Sequence, residues 1–379
     1  MPPKPCSPFG ATEMSHDHPT IRTGSDKELG LEAHALFLRT KPFSSLDGLR
    51  AASILAVLWH HSAGRAGLDL LVADRGFLGV DLFFVISGFL IVTLLLRERR
   101  RTGRVSLRRF YVRRFLRIFP VYYAILAVIG ALTLWRHSSG TVALRHDLPF
   151  ALLYVSNMVP MLSFLAITWS LSTEEQFYLV VPALEKYARG YMKYLLPVAY
   201  VLSCLPAVGL FPGWDLPAFF RQTTFGPILL GVGLAHLLDS PRGFYWVRRF
   251  MGHRFSPLFV AGLVLLACSY PVDDISGWTR IGMHVSLVLF LASCVVREDH
   301  SLQPVLNFWP IRRIGIVSYG IYLFHHLVMH FVDKVLGRFA NLPKVFSFIA
   351  LSLATWAVAE TSYRLYESRF LAMKTRFAR

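Results

Sequence analysis

The stretch FLGVDLFFVISGFLIVTLLL, residues 77–96, decides the fold class of this chain. A helix needs about 20 predominantly apolar residues to cross the hydrocarbon core of a membrane, and this stretch supplies them. The whole chain of 379 residues is 54% hydrophobic and only 17% charged, whereas soluble domains contain roughly 25% charged residues. We therefore predict an all-α integral membrane protein and exclude a soluble globule.

Ten other runs have a comparable apolar character. With the first stretch included, the eleven runs are 46–63, 77–96, 118–135, 148–164, 168–187, 194–211, 219–238, 257–270, 278–296, 314–335 and 345–366. If all of them crossed the membrane, the basic segments after the fourth run would alternate wrongly between its two sides. The fourth run is short and is interrupted by Asn157 and Pro160, and its omission places the basic segments on one side. We therefore expect about ten transmembrane helices, cytoplasmic termini and a location in the inner (plasma) membrane.

The distribution of basic residues decides between possible partners. The formal net charge is +17, which in a soluble protein would raise nucleic acid as a partner. Most of this charge lies between apolar runs, as in positive-inside loops, so we expect membrane lipids or a phosphate-bearing ligand and no nucleic acid. Residues 1–42 are predicted to be a disordered cytoplasmic tail, 43–370 the membrane domain and 371–379 a basic cytoplasmic tail. The four cysteines have no metal-ligand spacing, and we expect no metal.

The first predicted span carries ionisable residues at both ends. Arg50 lies near its cytoplasmic end and His61 near its outer end. On an ideal helix these two side chains differ by about 20° around the axis and are about 16 Å apart along it, whereas His60 points about 80° away. Ionisable residues at membrane depth are functional candidates. The alternative is that Arg50 is a snorkelling anchor and His61 an interfacial hydrogen-bonding group.

Acidic residues lie at the outer ends of two further spans. Asp81 comes at the same outer depth as His61. Glu174 and Glu175 stand side by side where the run 168–187 enters the membrane. Because their burial without partners would be costly, we expect at least one of the two glutamates to face a polar cavity.

Two polar features deeper in the membrane are more typical of structure than of catalysis. The small pair Ser87-Gly88 favours close helix packing over a catalytic serine. His325 lies about mid-membrane in the run 314–335, and we favour structural hydrogen bonding over catalysis for it.

The loop after the second span contains ten arginines between Arg97 and Arg117. For most of them a topology signal is a sufficient explanation. Arg114 and Arg117 differ, because their i, i+3 spacing places both on one face of a helix that enters the membrane. Paired guanidinium groups suit a ligand with several phosphates, and lipid headgroups are the alternative.

Five motifs follow one another along the chain. They are Asp-Gly-Leu-Arg at 47–50 with a histidine eleven residues after the arginine, FFVISGFL at 83–90, Arg-x-x-Arg at 114–117 before Ile-x-Pro, WSLSTEEQFY at 169–178 and Tyr-x-x-Tyr-Leu-x-His at 319–325. With these motifs the chain resembles the membrane acyltransferase family 3, whose members O-acylate extracytoplasmic carbohydrates and some small molecules. Two residues depart from the family pattern: Thr173, where valine is common, and His326, directly after the last motif.

The resemblance implies roles for the candidate residues. It implies His61 as the essential histidine, Arg50 as its motif partner, Arg114 and Arg117 as the arginine pair and Glu174 as the family's glutamate. It also implies acyl-CoA, in the form of acetyl-CoA, as the donor and a carbohydrate or glycosylated molecule as the acceptor. The chain ends soon after a segment that resembles the family's closing segment, so we expect a stand-alone member without an appended domain.

These parts combine into a mechanistic hypothesis. Acetyl-CoA would dock its phosphates on the arginine pair, and its pantetheine arm would reach along the Arg50 face towards His61 as the general base. Either Glu174 or Asp81 would orient that histidine. A transporter or flippase for a glycan or an anionic substrate is the alternative function, since intramembrane charges also mark translocation pathways.

Overall fold

The computed structural model describes residues 26–39, 43–63, 75–136, 140–205, 225–269, 277–336 and 344–377. These residues form helices and no β-strand, so the predicted all-α class is confirmed for the described part of the chain. In chain order the α-helices are α1 (Asp26–Arg39), α2 (Leu46–Ala63), α3 (Leu78–Thr102), α4 (Leu107–Arg136), α5 (Gly140–Leu152), α6 (Thr168–Tyr187), α7 (Met192–Cys204), α8 (Gly226–Asp239), α9 (Pro241–Met251), α10 (Ser256–Cys268), α11 (Gly277–Val295), α12 (Gln303–Leu306), α13 (Trp309–Ile316), α14 (Ser318–Leu336), α15 (Lys344–Ser362) and α16 (Ser368–Phe377). Short 3₁₀ turns occupy Arg75–Phe77, Phe164–Ile167 and Arg189–Tyr191, and a π-helical turn occupies Tyr363–Glu367.

Helix α3, which contains most of the stretch 77–96, is the most deeply buried of the long apolar helices. Buried residues make up 83% of its most apolar window, against 22–44% in the other three helices long and apolar enough to cross a membrane. It packs mainly against α8 and α2. The helix ends at Gly103, which has a φ of 72° and donates its N–H to the Arg99 carbonyl at 2.8 Å. This left-handed cap is a conformation that glycine adopts without steric cost.

Two glycines allow α3 and α8 to lie in close contact. Gly88 of α3 faces the backbone of Ile228, and Gly231 of α8 faces the backbone carbonyl of Val85. A Cβ atom at either glycine would collide with this main chain. Small residues permit such an approach between helices in a membrane. The prediction that the Ser87-Gly88 pair serves helix packing is therefore confirmed for its glycine.

The candidate membrane spans are fewer than the sequence predicts. By length and composition, four helices of the described residues qualify, and two pairs of helices bent by 74° raise the number to up to six. One bent pair is α13 and α14, so the run 314–335 is not a single straight helix. In this pair α13 packs closely on α2, where Gly315 lies directly against the backbone of Asp47. These helices are consistent with a membrane protein. The number of ten transmembrane helices and the cytoplasmic location of the termini stay predictions.

The run 148–164, which the charge pattern excludes as a span, is not a continuous helix. Helix α5 ends partway through it, and irregular backbone follows. The fully buried Asp147 carboxylate accepts the Leu162 N–H at 2.9 Å, and the Asn157 side chain donates to the Gln176 side chain of α6 at 3.0 Å. Protein groups thus satisfy the Leu162 N–H of this irregular backbone and anchor the segment to α6, in line with what non-helical backbone at membrane depth requires.

Both ends of the described chain contain more helix than the sequence predicts. Helix α1 lies within the predicted disordered tail 1–42, and the prediction of disorder does not hold for its residues. The helix buries Phe37, whose carbonyl accepts a hydrogen bond from Arg97 at 2.7 Å. The rest of that tail lies outside the described residues. Helix α16 extends into the predicted basic tail 371–379.

The contact between α3 and α8 predicts a position-specific effect of one methyl group. Gly231→Ala should lower the free energy of unfolding by about 1–3 kcal/mol, because the new Cβ overlaps the Val85 carbonyl and forces the helices apart. Gly233→Ala is the matched control in the same helix, because nothing lies within 4 Å of a Cβ there. Thermal unfolding of both purified variants in one detergent measures the difference, and equal stabilities would contradict this packing.

Candidate functional site

Two adjoining cavities define the candidate site, and Arg50, Arg114 and Arg117 line both of them. The basic cavity has a volume of about 720 Å³, and its other polar lining residues are Glu98, Arg113 and Lys374. The central cavity also has a volume of about 720 Å³, and its other polar lining residues are Ser87, Ser170, Glu174, Glu175, Tyr178, Ser318, Tyr319 and Tyr322. The structure thus brings together the three arginines that the sequence assigns to the donor.

The arginines come from two helices and are largely desolvated. Arg50, on α2, has a side chain that is 18% exposed and lies 3.5 Å from the Asp47 carboxylate. Arg114, on α4, places its guanidinium group 4.9 Å from the ring centre of Tyr178. The positive charges of Arg114 and Arg117 repel the positive charge of Arg50. A cluster of like charges of this kind attracts an anionic ligand.

Glu174 faces the central cavity from the second turn of α6. Its carboxylate accepts short hydrogen bonds from the hydroxyl groups of Ser87 and Tyr178. Glu175 lines the same cavity, so the prediction that at least one of these carboxylates faces a polar cavity is confirmed. The Tyr178 ring lies between Glu174 and Arg114, and it connects the acid to the arginine cluster.

His61 lies in the last turn of α2 among other histidines. Its ring centre is 5.0 Å from that of His325 and 4.6 Å from that of His326, both on α14. Among the described contacts, no hydrogen bond or ion pair joins His61 to Glu174 or Asp81. The described contacts therefore do not include the carboxylate partner that the sequence analysis expected for this histidine.

Two residues of α14 connect the lining of the central cavity with these histidines. Tyr322 lines the cavity, and its hydroxyl group is 2.6 Å from the Ser170 hydroxyl group. One turn further along α14, the Nδ1–H of His325 donates to the Tyr322 carbonyl at 2.6 Å, so that His325 has a defined orientation. His325 is fully buried and contacts His61. Tyr322 and His325 thus connect the lining of the central cavity with His61.

Asp81 occupies a separate buried ion pair. Its carboxylate accepts from Arg280 of α11 at 2.8 Å, and His284 of the same helix lies 3.5 Å away. The Arg280 guanidinium group also lies 4.9 Å from the centre of the Phe77 ring. These contacts indicate that Asp81 fixes α3 against α11, because a buried charge requires a partner of opposite sign.

The sequence reasoning missed several of these contacts. Arg280 and His284 have an i, i+4 spacing within an apolar run, which was a usable signal for a charged face directed into the protein. The contact of His61 with His326 had no such signal, because 265 residues separate the two in the chain.

The comparisons with known proteins agree with this geometry. The family described as "Acyltransferase domain" matches residues 43–360. A Staphylococcus aureus (strain COL) protein provisionally named an O-acetyltransferase is 30% identical over 355 residues, which are 86% of this chain and 56% of that protein. The Listeria monocytogenes peptidoglycan O-acetyltransferase OatA is 30% identical over 353 residues, or 86% of this chain and 55% of that protein. The Staphylococcus aureus (strain NCTC 8325) O-acetyltransferase OatA is 29% identical over 354 residues. No solved structure matches the chain.

The fold and the site together define a helical membrane protein with an anion-attracting cavity beside a histidine cluster. The family match covers most of the chain, and the chain belongs to the acyltransferase 3 family. The resemblance read from the five motifs is thereby confirmed. The names of the relatives support an enzyme of the O-acetyltransferase class. The chain spans about half the length of the curated relatives that it matches.

The buried Asp81 ion pair yields a stability prediction. Arg280→Ala should lower the free energy of unfolding by roughly 3–5 kcal/mol, because it leaves the Asp81 charge buried without its main partner. The control is Arg297→Ala: Arg297 pairs with Asp299 at 2.6 Å, but the Asp299 side chain is 75% exposed. Loss of an exposed pair costs at most about 1 kcal/mol. Denaturation of both variants in detergent measures the two values, and a similar loss in both would contradict a structural role of Asp81.

Proposed function

We propose that the protein is an O-acetyltransferase of the plasma membrane that moves an acetyl or short acyl group from cytoplasmic acyl-CoA to a hydroxyl group of an extracytoplasmic glycan or glycosylated molecule. The observation that carries this proposal is the pair of adjoining cavities, which share three arginines. Tyr322 lines the central cavity, and its carbonyl binds His325, whose ring contacts His61. The family and the names of its O-acetyltransferase relatives agree with it.

The donor enters through the basic cavity in this proposal. Its cationic lining consists of Arg50, Arg113, Arg114, Arg117 and Lys374, and guanidinium groups bind phosphate oxygens in a bidentate manner. The phosphates of acetyl-CoA would bind there, on the cytoplasmic side that the charge pattern assigns to this end. The pantetheine arm would extend through the central cavity, over the roughly 16 Å that separate Arg50 from His61 on an ideal helix.

Acyl transfer takes place at the His61 end. His61, as general base, takes the proton of the acceptor hydroxyl group, and the oxygen attacks the thioester carbonyl carbon. The C–S bond then breaks, and the CoA thiolate leaves and takes up the proton. The His325 ring contacts His61, and in this proposal it holds that ring in position.

The two carboxylates act at other points than His61. Glu174 accepts hydrogen bonds from Ser87 and Tyr178, so we propose that it positions the wall of the donor path beside Arg114. Asp81 holds α3 against α11 through Arg280. This assignment replaces the carboxylate-oriented histidine of the sequence hypothesis.

A transporter or flippase, the alternative left open by the sequence, is less well supported by this arrangement. Such proteins place their substrate site near the membrane midplane, between structural repeats. The arginine cluster and the histidine cluster of this chain instead lie at opposite ends of α2.

Removal of the arginine pair tests the donor site. The double variant Arg114→Ala/Arg117→Ala should raise the apparent KM for acetyl-CoA at least about tenfold, because each lost charge-assisted hydrogen bond costs roughly 1.5–3 kcal/mol and about 1.4 kcal/mol is a factor of ten. Arg108→Ala is the control, because Arg108 is an exposed arginine of the same helix that lines neither cavity. Initial rates in membrane vesicles at varied acetyl-CoA measure the effect. Unchanged saturation in the double variant would mean that the pair binds lipid.

Removal of the proposed base tests the chemistry. His61→Ala should lower the transfer rate by about 10²–10⁴-fold, which is the usual contribution of a general base. His60→Ala is the control at the neighbouring position, on another face of α2. Mass spectrometry of O-acetyl groups on the surface glycans of complemented deletion strains measures both variants. Acetylation at the wild-type level with His61→Ala would exclude the proposed chemistry.

A further inference from the structure

The histidines at the outer end of α2 form a compact three-membered cluster. The ring centres of His61, His325 and His326 form a nearly equilateral triangle with sides of 5.0, 4.6 and 4.6 Å. One nitrogen atom from each ring can be chosen so that all three lie within 4.8 Å of one another. The donor path of the proposed function uses His61 and leaves the convergence of all three rings unexplained.

Two nitrogen atoms of this cluster lack a hydrogen-bond partner among the described groups. The Nε2 atoms of His325 and His326 are buried and have no hydrogen-bond partner among the described groups. His325 is fully buried, and its Nδ1–H donates to the Tyr322 carbonyl at 2.6 Å. That bond places the proton on Nδ1 and leaves the Nε2 lone pair free. A backbone carbonyl that orients a histidine in this way is the usual second contact of a metal-binding imidazole.

The surroundings of the cluster leave one side open. His61 also lines a cavity of about 350 Å³, together with Ser62 and Met329. Three imidazoles with one open position are the ligand arrangement of some catalytic zinc sites, whereas structural zinc sites have four protein ligands. Imidazole ligands without thiolates suit the late divalent transition metals. The sequence analysis expected no metal, because the four cysteines have no metal-ligand spacing, and it did not consider these three histidines as one set.

We propose that His61, His325 and His326 bind one divalent transition-metal ion of the zinc class, in a site that is open on the side of the His61 cavity. Rotations of the rings would bring the three nitrogen atoms closer together, so that each could lie about 2.0–2.1 Å from one ion. The ion satisfies the two buried Nε2 atoms, whose desolvation is otherwise uncompensated.

Occupation of this site also regulates the transferase, and this part rests on the proposed function. The lone pair that His61 gives to the ion is the one that it needs as a general base. Bound zinc therefore inhibits acyl transfer, and a chelator restores it. The proposed transfer step gives His326 no role, although its ring contacts His61, so His326→Gln should retain acyl transfer and lose the inhibition.

The test uses the full chain, purified in detergent and treated with a chelator. Co²⁺ is added, and its visible absorption and bound amount are measured; Zn²⁺ then displaces it. We expect about one Co²⁺ per chain with the intense bands of four-coordinate cobalt in the wild type, and a loss of affinity of more than about tenfold in His326→Gln. The matched control His330→Gln replaces an exposed histidine of the same helix and should bind like the wild type. His61→Gln serves as a second ligand variant if His326→Gln does not fold.

Transfer assays in membrane vesicles complete the test. Zn²⁺ should lower the wild-type rate at least about tenfold, in line with the loss of a general base, and should leave His326→Gln unaffected. Absence of cobalt bands in the wild type, or equal binding by His326→Gln and His330→Gln, would overturn the site. Cobalt binding together with activation by Zn²⁺ would support the site and overturn the base role of His61. Cobalt binding in a protein that transfers no acyl group would support the site and contradict the proposed function.

Discussion

The electrostatic repulsion among Arg50, Arg114 and Arg117 is the constraint on which the rest of the site depends. Like charges in a partly desolvated setting repel more strongly than in water, and they raise the energy of the folded chain. The carboxylates that line their cavities are Glu98, Glu174 and Glu175, and Glu98 is already paired with Arg109 at 3.0 Å. An arrangement with surplus positive charge is stabilised when a polyanionic ligand binds, so the cluster is better explained by a ligand than by the fold.

The carboxylates of Asp81 and Glu174 form their contacts with groups other than His61. Asp81 is committed to Arg280, and Glu174 to the hydroxyl groups of Ser87 and Tyr178. Neither acid is therefore available to orient His61. That histidine lies among neutral rings instead, where any positive charge on one ring opposes charge on its neighbours. The two ends of α2 thus have opposite chemical character, with permanent cations at one and exchangeable lone pairs at the other.

Helical periodicity made part of this site predictable from the sequence. The shared face of Arg50 and His61, the i, i+3 pair Arg114 and Arg117, and the packing role of Gly88 all follow from spacing within one helix. Contacts between residues of distant segments could not be predicted from such spacing. Arg280 lies 199 residues from Asp81, and no local pattern states which buried acid a buried base will meet. The break between α13 and α14 was missed as well, and the helix before it packs on a distant segment, where Gly315 meets the Asp47 backbone.

The histidine cluster shows most clearly where local reasoning ends. In the sequence, 265 residues separate His61 from His326. The sequence analysis therefore treated His326 as a departure from the family pattern and His325 as a structural residue. Once α2 and α14 pack together, one ring nitrogen from each of these residues lies within 4.8 Å of the others. A single imidazole there is a base, whereas three convergent imidazoles are also a chelating set. The chemistry at this end of the protein is therefore a property of the helix contact rather than of any one motif.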